Sequence, residues 1–600
     1  MATDYTVAQY LKSRLEQLGL KRIFGVAGNY TAPLLNTILA DPDSPIAISG
    51  NANELCAGYA ADGHARLAGI SAVSATYGVG AFSLLNAVAG SYTELAPVVL
   101  INGAPTNKED SVEKNAGLLY SHTTGNLVPD IVVFEGVTVA AERITNARQA
   151  PYQIDSALTA LLTEHRPVYL EVTEDVWRAP CILPVGKLTS GANAIVTSSE
   201  TAPAIAATMQ MVRSLPKVVF WAGVELQRFG LEDQFLGLLD AVNRHAQPGQ
   251  EVHFVTSALS KSVVPESHPL FEGCLTMTRQ EIQTLVGADG CLIGLGAWTT
   301  GKDTANQNIR NSNLVLAAHN GVWAGAQFFP LIGLSDYMAK LEAALVFPGD
   351  ANLPLLQGLR LPPALRLSTA PPAGTGQDQD QPLTYDSFFA TLNDWLTEDD
   401  TLVVDAGFPL VGAQSVRITA EHGFVAQAAW LAIGYSVAAA TGVKVAQPDR
   451  RVIVVVGDGA FHETCQAVAD HHAHGQNNVV FVLANGLYGI EQEIVNPNVF
   501  RTPPIDYPAQ QLDRIYPYNR LPAWRYDKVT EAFGGEGRKA LTAAELTAVM
   551  EEIRSNPDRN FVVEVPIPTT DVPAGIRVGL AAAVGEDEFQ NPAWPPAQLF

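Results

Sequence analysis

Asp458 stands between two glycines directly behind a run of β-branched residues in "RVIVVVGDGAF", and Asn485 closes a second such run in "NNVVFVLANGLYG". Short apolar runs bounded by glycine read as strands buried on both faces, so both polar side chains are expected at strand ends, where open α/β sheets bind ligands. One carboxylate, one side-chain amide oxygen and a turn carbonyl near Leu487 give three hard oxygens suited to magnesium, with positions left for phosphate oxygens and water. Gly457 and Gly459 let backbone come close to a diphosphate, and the helix that follows offers its N-terminus to the anion. A lone GDG is common in turns. The gap sharpens it, because 25 residues, 460 to 484, separate the motif from Asn485.

Such strands need a scaffold large enough to bury them. Six hundred residues, 47% hydrophobic and 16% charged, are ample for several packed cores. Composition shifts to Pro, Gly, Ser and Thr around 183 to 203 and 364 to 382, the mark of linkers. The expected domains are 1–185, 200–350 and 380–570, followed by a tail over 571–600. Each alternates short apolar runs ("PVVLING", "KVVFWAG", "TLVVDAG") with helical patterns, which predicts three consecutive α/β domains with mainly parallel sheets. The first and third segments read as candidates for related units.

Charge and cysteine usage narrow the partners. A net charge of -24 repels nucleic acid and anionic membrane, so a bound phosphate must be gripped by local backbone or metal. Cys56, Cys181, Cys274, Cys291 and Cys465 are odd in number and lack CxxC spacing, which suits a reducing compartment. The amphipathic start "MATDYTVAQYLKSRLEQLGL" lacks the apolar core of a secretory signal, and a cytoplasmic location is expected. Two uncharged stretches, 70 to 93 and 424 to 443, reach membrane-spanning length, but small residues with Asn86 or Gln427 inside them read as buried strand-turn-helix. The run "HHAHG" over 471 to 475 has the look of a ligand set, yet it falls on the helix between the two strands, and a structural role is expected.

GDG, the gap and Asn485 resemble the diphosphate and magnesium motif of the thiamine diphosphate enzymes, with Ala484 where many members carry a first Asn. The stretch "NANELCAGYAADGHARLAG" is similar to that family's glutamate segment, "TYGVGAFSLLNAVAGSYTELAPVVLINGAP" to its glycine-rich pyrimidine-side segment, and "WLAIGYSVAAATGVKVAQPDRR" to the segment before GDG. "NGLYGIEQ", with Glu491, resembles the pyruvate decarboxylase subgroup. The resemblance implies a thiamine diphosphate-binding fold with pyrimidine-side, central and diphosphate-side domains, and thiamine diphosphate with Mg2+ as cofactors. It implies that Glu54 and Thr76 contact the pyrimidine side, that Ile433 holds the cofactor bent, and that Gly457, Asp458, Gly459 and Asn485 bind its diphosphate end. Asp458, Asn485 and the Leu487 carbonyl are then metal ligands. Glu54 opens an apolar helix, where desolvation favours the protonated donor that would promote the cofactor's imino tautomer. Glu491 matches a glutamate of substrate binding and proton transfer, and His122 matches the second histidine of a His-His pair.

Departures from the subgroup fall on proton-transfer positions. Asn29 in "VAGNY" stands where the subgroup has aspartate, and Ser121 where it has the first histidine. Phe408 and Pro409 in "DAGFPL" replace small or polar residues. The central segment shows no GxGxxG fingerprint, so neither flavin nor NAD is expected there and its role reads as structural or regulatory. The implied function is non-oxidative decarboxylation of a 2-oxo acid to an aldehyde through the cofactor enamine. A carboligase using the same enamine and an aldehyde acceptor is the alternative, and a catalytically silent, assembly-forming homologue is disfavoured by the intact Glu54, Asp458, Asn485 and Glu491. The family's assembly implies a homodimer or homotetramer with active sites at the subunit interface.

Overall fold

The structure is a computed structural model that describes residues 5–577 apart from 127, 190–197, 245, 276–281, 283–284, 288, 300–312, 347–355, 359–379 and 501–513. Much of both expected linkers and the tail beyond 577 therefore lies outside the described residues.

The chain folds as three α/β layers, each around a mainly parallel sheet. The first sheet contains β1 (Arg22–Gly25), β2 (Ala47–Gly50), β3 (Ser71–Thr76), β4 (Val98–Ala104), β5 (Ala140–Ile144) and β6 (Val168–Thr173). The second contains β7 (Lys217–Ala222), β8 (His253–Ser257), β9 (Phe271–Leu275), β10 (Gly290–Leu295), β11 (Leu314–Ala318), β12 (Gly321–Ala324), β13 (Gln327–Pro330) and β14 (Gln357–Gly358). The third contains β15 (Asp400–Val404), β16 (Phe424–Ala426), β17 (Arg451–Gly457), β18 (Val479–Ala484), β19 (Glu536–Lys539) and β20 (Phe561–Pro566). The first sheet runs β2-β1-β3-β4-β6-β5 and the third β16-β15-β17-β18-β20-β19. Counted from its own first strand, each has the same order, so the first and third segments share a topology. Among the described strands, only the β11–β12 and β12–β13 pairs are antiparallel.

The two stretches long enough to span a membrane fold as strand, turn and helix. Residues 71–76 form β3 and lead into the helix Val79–Thr93, and β16 is followed by a turn and the helix Tyr435–Ala446. Among the described residues no helix is long and apolar enough to cross a membrane.

Helix Glu54–Ala68 and helix Tyr435–Ala446 join the first layer to the third. Gly63 lies against Ala439, where a Cβ would sit 2.6 Å from the carbonyl oxygen, and Gly442 lies against Ala60. Position 63 therefore meets 439 while 60 meets 442, which makes the pair antiparallel. Glycine permits this backbone contact because no side chain intervenes. The arrangement inverts one sheet against the other. Asn51, just beyond β2, donates from Nδ2 to Asp470 Oδ2 at 3.1 Å, and His474 Nε2 lies 3.0 Å from the Gly50 carbonyl. The carboxyl edge of the first sheet thus lies beside the amino edge of the third.

A buried ionic network locks the joint. Arg66 Nε donates to Asp62 Oδ1 at 2.6 Å, and its Nη1 donates to Glu94 Oε2 at 3.3 Å and to the Ala426 carbonyl at 2.9 Å. Tyr435 Oη donates to Asp62 Oδ1 at 2.7 Å, while Glu94 Oε1 accepts the N–H groups of Ala429 and Trp430 at 2.7 and 3.0 Å. Asp62 and Glu94 are essentially inaccessible, so Arg66→Ala leaves two buried carboxylates without the guanidinium that hydrogen-bonds them. The expected cost is about 3–5 kcal/mol, read as a lowered urea midpoint. A loss below about 1 kcal/mol, the scale of an exposed pair, would show the network to be dispensable.

Candidate active site

β17 and β18 pair in parallel with Gly457 beside Leu483, so Asp458 and Asn485 leave adjacent strands at the same edge. Together with Ala406, Gly407, Phe408, Pro409, Ile433, Gly459, Leu487, Tyr488 and Ile490 they line a half-open pocket. Asp458 is 2% exposed. Its Oδ1 accepts the Gly459 N–H at 3.0 Å and its Oδ2 the Gly486 N–H at 2.7 Å. Burial pushes its carboxyl up to about 6, and these backbone donors work against that shift. At Gly459 a Cβ would overlap the Tyr488 ring, so any other residue there would displace that side chain from the pocket wall.

Asn485 is nearly as buried, and its Oδ1 accepts the Leu487 N–H at 3.0 Å. Leu521 N–H bonds the Gly486 carbonyl at 3.0 Å and Tyr488 N–H the Asn519 carbonyl at 2.9 Å, which leaves the Leu487 carbonyl outside that pairing. The donor set fits a divalent cation with a diphosphate. A buried carboxylate with no cationic partner among the described residues, an amide oxygen and a carbonyl surround an opening floored by glycine backbone. Among the described residues no group of three or more His, Cys, Asp or Glu is arranged to hold a metal, and the Asp458 site is not of that kind.

Asp405 positions the remaining wall. It is fully buried and accepts from the Gly434 N–H at 3.0 Å and from the Ser436 N–H and Oγ at 2.8 and 2.7 Å. Burial raises its carboxyl to about 6, against the pull of those donors. The bonds fix the turn before helix Tyr435–Ala446 and present Ile433, 36% exposed, to the pocket. Glu491 lies on the helix Gly489–Val495 just beyond, on its exposed side.

The other singled-out residues gather at the carboxyl edge of the first sheet. Glu54 begins its helix behind the cap Asn53, half-buried in one chain, with its Oε1 3.4 Å from where a Cβ on Gly80 would sit. Thr76 ends β3, and its Oγ1 is buried without a partner. Asn29 is exposed on a one-turn helix after β1. Ser121 and His122 lie on a loop folded back over residues 76–78. Tyr77 Oη donates to the Ser121 carbonyl, the Tyr77 and His122 rings meet edge-on at 6.0 Å, and His122 has φ +73°. Buried acids hold this loop from below, Asp130 accepting the Gly78 N–H at 2.7 Å and Glu113 the Thr123 hydroxyl at 2.7 Å.

Within one chain the structure therefore brings Asp458, Asn485, Leu487, Ile433 and Glu491 together at one edge. Glu54, Thr76, Asn29, Ser121 and His122 stand at another. Asp405, Tyr77 and Asp130 were not singled out from sequence; of these only Asp405 carries a signal, an acid after the apolar run "TLVV". The histidines of "HHAHG" diverge. His471, held neutral by burial with its pKa near 4, bonds the Val437 carbonyl, His474 the Gly50 carbonyl, and His472 packs at Gly534.

Family models match both edges. "Thiamine pyrophosphate enzyme, N-terminal TPP binding domain" matches residues 5–126 and "Thiamine pyrophosphate enzyme, C-terminal TPP binding domain" residues 405–565. An alpha-keto-acid decarboxylase of Mycolicibacterium paratuberculosis is 30% identical over 582 residues, 95% of each chain. One from Mycobacterium leprae is 29% identical over 603 residues, 98% of each chain. Benzoylformate decarboxylase from Polynucleobacter necessarius has a similar fold, with a TM-score of 0.71 at 17% identity over 95% of this chain and 99% of that one.

Proposed function

Because this chain belongs to the thiamine pyrophosphate enzyme family, we propose that it decarboxylates a 2-oxo acid without oxidation and releases an aldehyde, using thiamine diphosphate held by magnesium. The observation that carries this reading is the convergence of Asp458, Asn485 and Glu491 on one sheet edge, in a chain alignable almost end to end with alpha-keto-acid decarboxylases. Bound thiamine diphosphate supplies the carbon that adds to the substrate carbonyl and takes up the electrons left by carbon dioxide.

This chain's residues do the rest. Asp458, Asn485 and the Leu487 carbonyl would hold the metal, and the backbones of Gly457 and Gly459 would meet the diphosphate end. Ile433 props the cofactor from one side. Glu54 hydrogen-bonds the pyrimidine ring, and Thr76 offers its unpaired hydroxyl at that end. Glu491 and His122 assist substrate binding and deliver the proton taken up after carbon dioxide leaves.

A second copy is needed to assemble these parts. Asp458 opens the helix Asp458–Thr464, whereas Asn51, three residues before Glu54, docks on Asp470 in the next helix, Ala467–Ala473, toward the opposite edge of the sheet. That separation supports a homodimer with two composite sites, or a tetramer of two such dimers. The unpaired cysteines support a reducing, cytoplasmic location.

Carboligation is a second reading, favoured by Asn29 and Ser121. An amide and a hydroxyl are poor acids near neutral pH, so protonation after carbon dioxide leaves is slowed and an acceptor aldehyde can compete. Product analysis over several 2-oxo acids, with and without acceptor, tests both readings. We expect aldehyde in every productive case and 2-hydroxyketone when acceptor is abundant. Asn29→Asp with Ser121→His should raise the ratio of aldehyde to 2-hydroxyketone by about tenfold. Carbon dioxide release from none of the acids would sink the decarboxylase reading, and aldehyde alone with abundant acceptor would remove the second.

A further inference from the structure

Tyr385 opens the helix Tyr385–Trp395 behind the cap Thr384, and its N–H donates to Asp571 Oδ2 at 2.7 Å. Its ring meets Phe408 edge-on, with centroids 5.5 Å apart at 83°. The residue is 2% exposed, yet it lines the same pocket as Gly457, Asp458 and Gly459. Among the described residues its hydroxyl makes no side-chain hydrogen bond, which leaves it free to serve a ligand in the pocket. Burial, and after it the negative charge of Asp458, push the phenol well above its ordinary range, so it keeps its proton and stands ready as a donor. Phe408 and Pro409, which line the pocket beside it, carry no hydroxyl, and Tyr488 is the other phenol among the described lining residues.

We propose that Tyr385 is a further cofactor-binding residue whose hydroxyl donates to a diphosphate oxygen. The proposal rests on the thiamine diphosphate reading of this pocket. A neutral donor is well suited here, since the metal already supplies the cationic charge and a second cation would compete with it for Asp458. Thr384 and Asp571 fix the backbone at this position, so little side-chain freedom is lost when the bond forms.

Tyr385→Phe removes only the hydroxyl. Calorimetric titration of thiamine diphosphate with Mg2+ into wild type and variant should give a dissociation constant about tenfold or more higher for the variant, as expected for losing one hydrogen bond to a charged acceptor. Magnesium pyrophosphate, which probes the diphosphate end alone, should show a comparable loss, with the melting temperature of the unliganded protein unchanged. Equal affinities in the two proteins would overturn the assignment, as would a loss for thiamine diphosphate that pyrophosphate does not share. Failure of the wild type to bind either probe would instead overturn the thiamine diphosphate reading itself.

Discussion

Asp458→Ala is expected to bind no thiamine diphosphate at magnesium concentrations that saturate the wild type, a loss on the order of a thousandfold or more, because the proposed metal site would lose its one carboxylate. Two effects combine. The metal site keeps only an amide and a carbonyl, and the diphosphate then meets the uncompensated field of a chain with net charge -24. The substitution also frees the Gly459 and Gly486 N–H groups that Asp458 now holds, so the turn presenting Asn485 loosens. Asp458→Asn keeps an acceptor for one of those donors without the charge and should fall between wild type and alanine. Calorimetry with magnesium in excess measures the difference, and circular dichroism checks that the sheet has survived. Cofactor affinity that did not change in Asp458→Ala would mean that the metal is held elsewhere.

The second large effect is a gain. Glu54→Gln and Asp458→Ala should each be inactive alone, one failing at the pyrimidine end and the other at the metal. In a mixed dimer, one site draws its glutamate from the Asp458→Ala chain and its aspartate from the Glu54→Gln chain, and that site is whole. Random assortment of equal amounts makes half the dimers mixed with one intact site each, so activity should recover to about a quarter of wild type. Subunits are exchanged by mild denaturation and refolding, and activity is read against each variant treated alone. Mixtures no more active than the separate variants, in preparations shown by mass spectrometry to contain mixed dimers, would place both halves of the site in one chain.

Much of this architecture was legible because its determinants are local. A strand buried on both faces must be an unbroken apolar run, so β17 and β18 announced themselves, and a polar residue directly after such a run must stand at a strand end. The wall residues were not legible for the opposite reason. Asp405 follows "TLVV" just as Asp458 follows "RVIVVVG", yet its partners Gly434 and Ser436 lie far along the chain and nothing in the spacing distinguishes the two roles. Tyr385 falls in an ordinary amphipathic helix, where an aromatic residue reads as core. The relation of Glu54 to Asp458 was beyond reach from residues alone. It is set by Gly63 against Ala439 and Gly442 against Ala60, contacts between residues some 380 positions apart in the chain.

The inverted joint between the first and third layers has a consequence for how much enzyme a given amount of protein represents. If each chain carries two unlike halves at opposite ends, output follows the law of mass action. Below the dissociation constant of the pair, the fraction of working sites falls in proportion to total protein, and turnover per milligram falls with it. Added cofactor and magnesium would then bind paired chains in preference to single ones, draw the association forward, and make saturation curves steeper in dilute solution than in concentrated stock.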